Sequence, residues 1–231
     1  MRLSLIKTTY PLFCILLLSS PLQGQGVMIG NNPADRLLIM KKATIPNTDI
    51  SDIEGSMYVR DSFIHGIVAT DKDTFYNLPM KYNVYEDVIE FQYKDEIHIL
   101  EPATNIKKIQ IDQMILTVEP YEFAGKIKTG FFTELAGGKI KLLSKKVTEF
   151  QEMQLAKAMK YTNTPAKFIA QPDQFYTRIG NLPAAPITKL KKTLVLFPDH
   201  QKSVISYAER RKLSVKKQDL VALWTYYNSL D

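Results

Sequence analysis

Residues 78–102 read LPMKYNVYEDVIEFQYKDEIHILEP, and their pattern decides the fold. Apolar and polar side chains alternate through three arms, and this period of two is typical of β-strands that bury one face. Charged residues at 86–87 and 94–96 separate the arms, and we interpret them as the solvated tips of hairpins. The side chains predicted to enter the core are Met80, Tyr82, Val84, Ile89, Phe91 and Ile99.

Similar patterns on both sides of this stretch predict further strands. They are 63–70, 74–76, 106–111, 114–118, 126–135, 139–150, 167–170 and 175–179. Gly137-Gly138 is a good signal for a two-residue turn between two of them. The arm after that turn carries four lysines, which favours an exposed or edge strand, where charge blocks unwanted pairing. Pro172-Asp173 is expected to separate the last two short strands.

The pattern changes to a helical period after Pro186. Three short amphipathic helices are predicted, with Thr188, Asp199 and Ser214 as their N-caps. Their inward side chains are Leu190, Leu194 and Phe197, then Val204, Ile205 and Ala208, then Leu220, Leu223, Trp224 and Tyr227. Because short helices gain most of their stability from packing an apolar face, we expect these helices to dock on the sheet or on one another.

Together these patterns predict an α+β fold that is mainly antiparallel β. The architecture we expect is a curved sheet or open barrel, with a sandwich as the alternative, followed by a C-terminal segment of three short helices. The predicted organisation is a signal peptide (1–24), an N-terminal lead-in (25–54), a β-rich domain (55–186) and a helical tail packed on it (187–231).

Residues 1–24 have the composition of a secretory signal peptide. Arg2 and Lys7 precede the apolar run 12–18, which is too short to cross roughly 30 Å of hydrocarbon. Cys14 is the only cysteine, and the leucines that follow it do not fit a lipid-anchor site. We therefore expect export, with periplasmic or outer-membrane association and no transmembrane span once the signal is removed. An uncleaved membrane anchor is the alternative.

Charge is divided unevenly along the chain. Residues 27–153 contain 15 basic and 19 acidic side chains, a net of −4, whereas residues 154–231 contain 13 basic and 5 acidic, a net of +8. A basic end can attract an anionic surface, although a solvated lysine-rich face explains the same composition. Export argues against nucleic acid. The partners we expect are therefore an envelope protein, an anionic lipid or a glycan.

The sequence carries no motif that assigns a catalytic, cofactor-binding or metal-binding residue. His65, His98 and His200 are not at metal-ligand spacing, and there is no G-x-S-x-G or phosphate-binding glycine loop. Carboxylates are adjacent in the doublets Glu86-Asp87 and Asp95-Glu96. Because adjacent side chains in a strand point to opposite faces, neither doublet makes a carboxylate dyad by itself. One alternative is a hydrolase or isomerase with a site assembled from distant residues, for which His65 and His98 are the candidates. Another is a carrier with an apolar cavity for a lipid-like ligand.

The tyrosines and the basic tail supply the candidate binding residues. Tyr85 is predicted to point away from the Tyr82 face, where an exposed ring can stack on a sugar or a partner. On the last helix Tyr226 is predicted to face solvent, and Arg210, Arg211 and Lys212 form a basic cluster before it. Ordinary sheet tyrosines, which β-propensity favours, explain the same enrichment without a site.

Three segments carry a resemblance to known proteins, namely GSMY from Gly55, DTFYNLPMKYNVYEDVIEF over 73–91, and LVALWTYYNSL over 220–230. Together they resemble a family of uncharacterised exported proteins of Bacteroidetes. Members of that family share a signal peptide, a P-[LM]-[RK]-Y-N-[IV]-Y strand and a helical tail ending in Y-Y-N. The resemblance implies a β-rich envelope protein but brings no known activity and no site residues. The function we expect is non-enzymatic binding of an envelope component or a protein partner.

Overall fold

A computed structural model describes residues 53–103, 105–153 and 164–230 of the chain. The predicted signal peptide and residues 25–52 of the predicted lead-in lie outside these residues. The strands are β1 (Ile64–Thr70), β2 (Thr74–Asn83), β3 (Val88–Tyr93), β4 (Glu96–Leu100), β5 (Ile106–Ile111), β6 (Met114–Phe123), β7 (Lys126–Ala136), β8 (Ile140–Gln151), β9 (Lys167–Ile179) and β10 (Ala185–Pro186). The helices are α1 (Leu190–Leu194), α2 (Gln201–Arg210) and α3 (Lys217–Asn228).

The ten strands form one sheet in the order β10-β9-β8-β7-β6-β5-β1-β2-β3-β4, which curls into a half-barrel. All pairings between these strands are antiparallel, and β1 lies between β5 and β2. The predicted α+β fold, a curved antiparallel sheet with three short helices, is therefore confirmed.

The deciding stretch forms β2, β3 and β4, and its two charged interruptions are turns. Asp87, Lys94 and Asp95 adopt positive φ angles there, a conformation that aspartate tolerates better than most residues. Five of the six predicted core side chains are buried, namely Met80, Tyr82, Val84, Ile89 and Phe91.

The prediction that Ile99 enters the core is wrong. Phe91 pairs with His98 and Ile89 with Leu100, so His98 and Leu100 share the buried face while Ile99 is only half-buried. A period of two predicts that one face is buried, but the pairing with β3 decides which face that is.

Two predictions about the long strands are also wrong. The lysine-rich β8 is an interior strand between β7 and β9, and Lys145 is among its buried residues. The two strands expected around Pro172 are one strand, β9. The register between β8 and β9 shifts between Lys145 and Val147, opposite the proline, and such an irregularity accommodates a residue that has no N–H to donate.

The helices pack on one end of the sheet, where Ile140 and Leu142 of β8 contribute to their core. The four predicted inward residues of α3, Leu220, Leu223, Trp224 and Tyr227, are all buried. The predicted caps are wrong, because the N-cap residues are Lys189, His200 and Lys216 and none makes a side-chain cap bond. Ser214 instead donates its hydroxyl and its backbone N–H to Asp219.

Candidate ligand-binding cleft

The turn between β2 and β3, residues 84–87, closes one side of an open cleft of about 540 Å³. We call residues 84–87 the Asp87 turn. Strands β6 to β9 supply most of the remaining lining, and residues 101–102 complete it. The polar and aromatic lining residues include Tyr85, Glu86, Asp87, Glu101, Tyr121, Phe123, Lys128, Lys145, Lys146, Gln174 and Tyr176.

A buried ion pair holds the Asp87 turn against the sheet. Lys145 Nζ donates to Asp87 Oδ2 at 2.6 Å, and it also lies 3.4 Å from the carbonyl oxygen of Phe131. The hydroxyl of Tyr82 donates to Asp87 Oδ1, also at 2.6 Å. Both carboxylate oxygens therefore accept hydrogen bonds, one from β2 and one from β8, and this fixes the turn that carries Tyr85.

Aromatic rings surround the ammonium group of Lys145. Its Nζ lies 5.1 Å from the ring centroid of Tyr121 and 5.0 Å from that of Phe132, within the range of cation–π attraction. Tyr176 packs edge-to-face on both of these rings, at 5.6 and 5.2 Å. The floor of the cleft is therefore a packed aromatic cluster with a positive charge at its centre.

Gly130 of β7 permits the close approach of the strand to this ion pair. A Cβ at that position would lie 2.7 Å from Asp87 Oδ2, 2.8 Å from Lys145 Nζ and 2.9 Å from the ring of Tyr121. Since three separate groups crowd that point, a residue with a side chain would push the ion pair apart.

Burial perturbs the titration of the groups in this cluster. Burial lowers the pKa of Lys145, and the attraction of Asp87 only partly opposes it. Burial, with a further contribution from the charge of Asp87, raises the pKa of Tyr121 to about 12 and also raises the pKa of Tyr176. For Tyr82, burial and the charge and hydrogen bond of Asp87 raise the pKa well above its usual range. These tyrosines therefore stay protonated near neutral pH.

Replacing Tyr82 by Phe is expected to lower the free energy of unfolding by about 1.5–3 kcal/mol near neutral pH, because the hydrogen bond to a charged carboxylate is lost. The folded state holds the Tyr82 proton more tightly than the unfolded chain does. This contribution is therefore full below about pH 10 and declines as the pH rises through the folded-state pKa. Urea unfolding at a series of alkaline pH values should show the difference from wild type narrowing.

The control for this titration is Tyr76→Phe on the same strand, where the tyrosine is exposed. It should change stability little across the series. A Tyr82→Phe deficit that stays constant above pH 10 would contradict the proposed coupling between Tyr82 and Asp87.

The structure corrects how the Glu86-Asp87 doublet was interpreted. It does form a turn, as predicted, but Asp87 is not solvated at the tip because Lys145 and Tyr82 bind it. The sequence patterns do not predict that Lys145 is buried in this cluster, because its lysine-rich strand indicates an exposed edge. The signal that could have found it is its apolar neighbourhood, Leu142, Leu143 and Val147.

The predicted binding residues fall in two separate places. Tyr85 lines the cleft, with its ring edge-on to Phe150 and Phe168 at 6.3 and 5.2 Å. Tyr226 is not turned freely to solvent, because it stacks on Tyr207 with ring centroids 4.0 Å apart. The remaining three predicted residues, Arg210, Arg211 and Lys212, are exposed at the end of α2, and Arg211 lies over the Tyr207 ring.

The two strand histidines are not brought together. His65 on β1 is exposed, and its Nδ1 lies 3.2 Å from the carbonyl oxygen of Asn77, whereas His98 on β4 is buried and stacks on Phe91. Two strands lie between β1 and β4, which corresponds to roughly 14 Å across the sheet. Their pairing registers also place these side chains on opposite faces, so they share no site.

Within the residues that the structure describes, no three or more His, Cys, Asp or Glu side chains are grouped so as to hold a metal ion. The helices in the same part of the chain are all too short or too polar to cross a membrane. Comparison of the chain with protein-family models, with curated proteins and with solved structures finds no match.

Proposed function

We propose that this protein is a non-enzymatic, exported component of the cell envelope, periplasmic or associated with the outer membrane, and that it binds a neutral glycan. The glycan occupies the cleft beside the Asp87 turn. The composition of residues 1–24, which is typical of a signal peptide, supports export. The single observation that carries the choice of ligand is the lining of the cleft, which combines exposed aromatic rings with balanced charge.

The charge balance of the lining favours a neutral ligand. The three acidic lining residues are Glu86, Asp87 and Glu101, and the three basic ones are Lys128, Lys145 and Lys146. Because the charges oppose one another, the cleft has no net charge to attract a strongly ionic ligand. Carboxylate, ammonium and amide groups are nevertheless well suited to accept from and donate to the hydroxyls of a sugar.

Two half-exposed rings supply flat apolar surfaces in this polar cleft. Tyr85 is 48% exposed and Phe123 is 47% exposed. Tyr85 contacts two phenylalanines, while the Phe123 ring packs on Tyr121 at 6.3 Å and lies 4.4 Å beneath Lys128 Nζ. Rings held in this way lose little conformational entropy on binding, so a sugar face can stack on them at low cost.

Replacing Tyr85 by Ala is expected to weaken glycan binding about fivefold to tenfold, since stacking on one ring contributes ~1–1.5 kcal/mol. A panel of neutral cello-, malto-, xylo- and manno-oligosaccharides, first on an array and then by calorimetry, provides the measurement. Binding should differ little between low and moderate salt because the ligand is uncharged.

The matched control is Tyr76→Ala, which removes a tyrosine that is 69% exposed on β2 and does not line the cleft. Its binding should equal that of wild type. The proposal fails if none of the neutral glycans binds, or if Tyr85→Ala and Tyr76→Ala bind equally well.

A further inference from the structure

A second surface, remote in sequence from the Asp87 turn, lies on the C-terminal helices. An apolar groove of about 620 Å³ runs between α1 and α2, and we call it the α1–α2 groove. Its apolar walls include Leu190, Ile205 and Leu213, while Val195 at its edge is 62% exposed. The next residue, Leu196, is also exposed. Large aliphatic side chains that stay in solvent beside an open groove indicate a surface that a partner covers.

The segment of chain that carries this groove has one dominant sign of charge. Between residues 189 and 217 the chain has nine basic and two acidic residues, a net of +7, and all nine basic side chains are exposed. Lys191, Lys192 and Lys212 line the groove itself. Of the two acidic residues, Asp199 pairs with Lys139 at 3.3 Å. The other, Glu209, is the acidic residue among those that line the groove.

We propose that the α1–α2 groove docks on the surface of an anionic lipid bilayer. In this arrangement Val195 and Leu196 enter the boundary between headgroups and acyl chains, and the surrounding lysines contact lipid phosphates. Exposed apolar side chains beside lysines are a pattern by which monotopic proteins bind a membrane interface. The site is independent of the glycan cleft.

The kind of basic residue favours a bilayer over an acidic protein. Seven of the nine basic residues between 189 and 217 are lysine. A lysine can lay its apolar stem along acyl chains while its ammonium reaches the headgroups. Arginine is the residue preferred for paired, bidentate contacts with protein carboxylates, and one of the two arginines, Arg211, already lies 5.0 Å over the ring of Tyr207.

The first test measures co-sedimentation of the exported protein with lipid vesicles. Vesicles of mixed phosphatidylglycerol and phosphatidylcholine should bind it, pure phosphatidylcholine vesicles should not, and added salt should weaken the binding. Val195→Asp is expected to reduce the affinity at least tenfold, because it puts a carboxylate among lipid phosphates. Leu182→Asp is the matched control, because Leu182 is also 62% exposed but lies in the turn after β9.

The second test reverses charge at the groove. Lys191→Glu combined with Lys192→Glu should weaken vesicle binding more than twentyfold, since each lysine near an anionic surface contributes about a fivefold factor in affinity. Lys107→Glu combined with Lys108→Glu reverses two adjacent exposed lysines on β5 and should leave binding near wild type. All four variants should keep any glycan binding, which separates the failure of one proposal from that of the other.

The docking proposal is overturned by any of three results. These are no binding to phosphatidylglycerol vesicles, equal binding to pure phosphatidylcholine, or equal loss of binding in the groove variants and their controls. Groove-dependent binding to soluble polyglutamate with none to vesicles would assign an acidic protein partner in place of the bilayer.

Discussion

Replacing Asp87 by Ala is expected to lower the free energy of unfolding by about 3–5 kcal/mol, because it leaves a buried charge without its partner. The Lys145 side chain is only 10% exposed, and its ammonium lies among aromatic rings. In the wild type Asp87 compensates that charge and also accepts from Tyr82. Urea unfolding followed by circular dichroism near neutral pH measures the loss.

Asp112→Ala is a control with the same backbone conformation. Asp112 also lies in a turn, its φ of 54° is close to the 57° of Asp87, and it also pairs with a cation, Arg60, at 3.0 Å. That pair is exposed, and so its loss should cost only about 0–1 kcal/mol beyond the shared effect of placing alanine at a positive φ. Equal losses in the two variants would mean that the Asp87 pair contributes no more than a surface pair.

The deficit of the Asp87→Ala variant should become smaller as the pH rises. Burial already lowers the pKa of Lys145, and the variant lacks the Asp87 carboxylate that partly opposes this effect. The unfolded chain then binds more protons than the folded one, so stability increases with pH up to about 10.5, the ordinary pKa of lysine. Asp87→Asn combined with Lys145→Met should recover most of the loss even near neutral pH, because both charges are gone while asparagine tolerates the positive φ and can still accept from Tyr82.

The position of the Asp87 turn could be predicted from the sequence, but its partner could not. A polar doublet between two alternating arms is a local pattern, and the turn formed where it was expected. Lys145 lies 58 residues further along the chain, and only the curl of the sheet brings it to Asp87. For the same reason Tyr85 was predicted as a binding residue from its face alone, while the cleft around it depends on four distant strands.

The errors in the predicted strands share a cause, which is that the local sequence pattern of a strand does not specify which strands it pairs with. The third arm has alternating residues, yet pairing with β3 buries Leu100 and leaves Ile99 half-buried. The lysines of β8 suggested an edge, whereas the strand is interior and specific carboxylates bind Lys141 and Lys145. The buried face of α3 was predicted correctly because a helix packs one face against its neighbours, and the sequence spacing determines which side chains lie on that face.

Phe91→Ala is expected to cost about 3–5 kcal/mol of unfolding free energy, the range for removing a large buried aromatic side chain. Phe91 is 1% exposed in the middle of β3, pairs with Met80 on one side and His98 on the other, and stacks on the His98 ring at 5.4 Å. Because β3 is hydrogen-bonded to β2 on one side and to β4 on the other, the cavity can collapse only partly. Urea unfolding near neutral pH provides the measurement.

Phe123→Ala provides the comparison, because Phe123 is half-exposed and its loss should cost less than about 1 kcal/mol. A cost that small for Phe91 would mean that β2, β3 and β4 bury the opposite face in solution. The expected contrast also bears on residues 73–91, which supply seven of the fourteen buried residues in the core cluster around β2 and β3. A motif made of Met80, Tyr82 and Phe91 would recur in related chains because folding requires it.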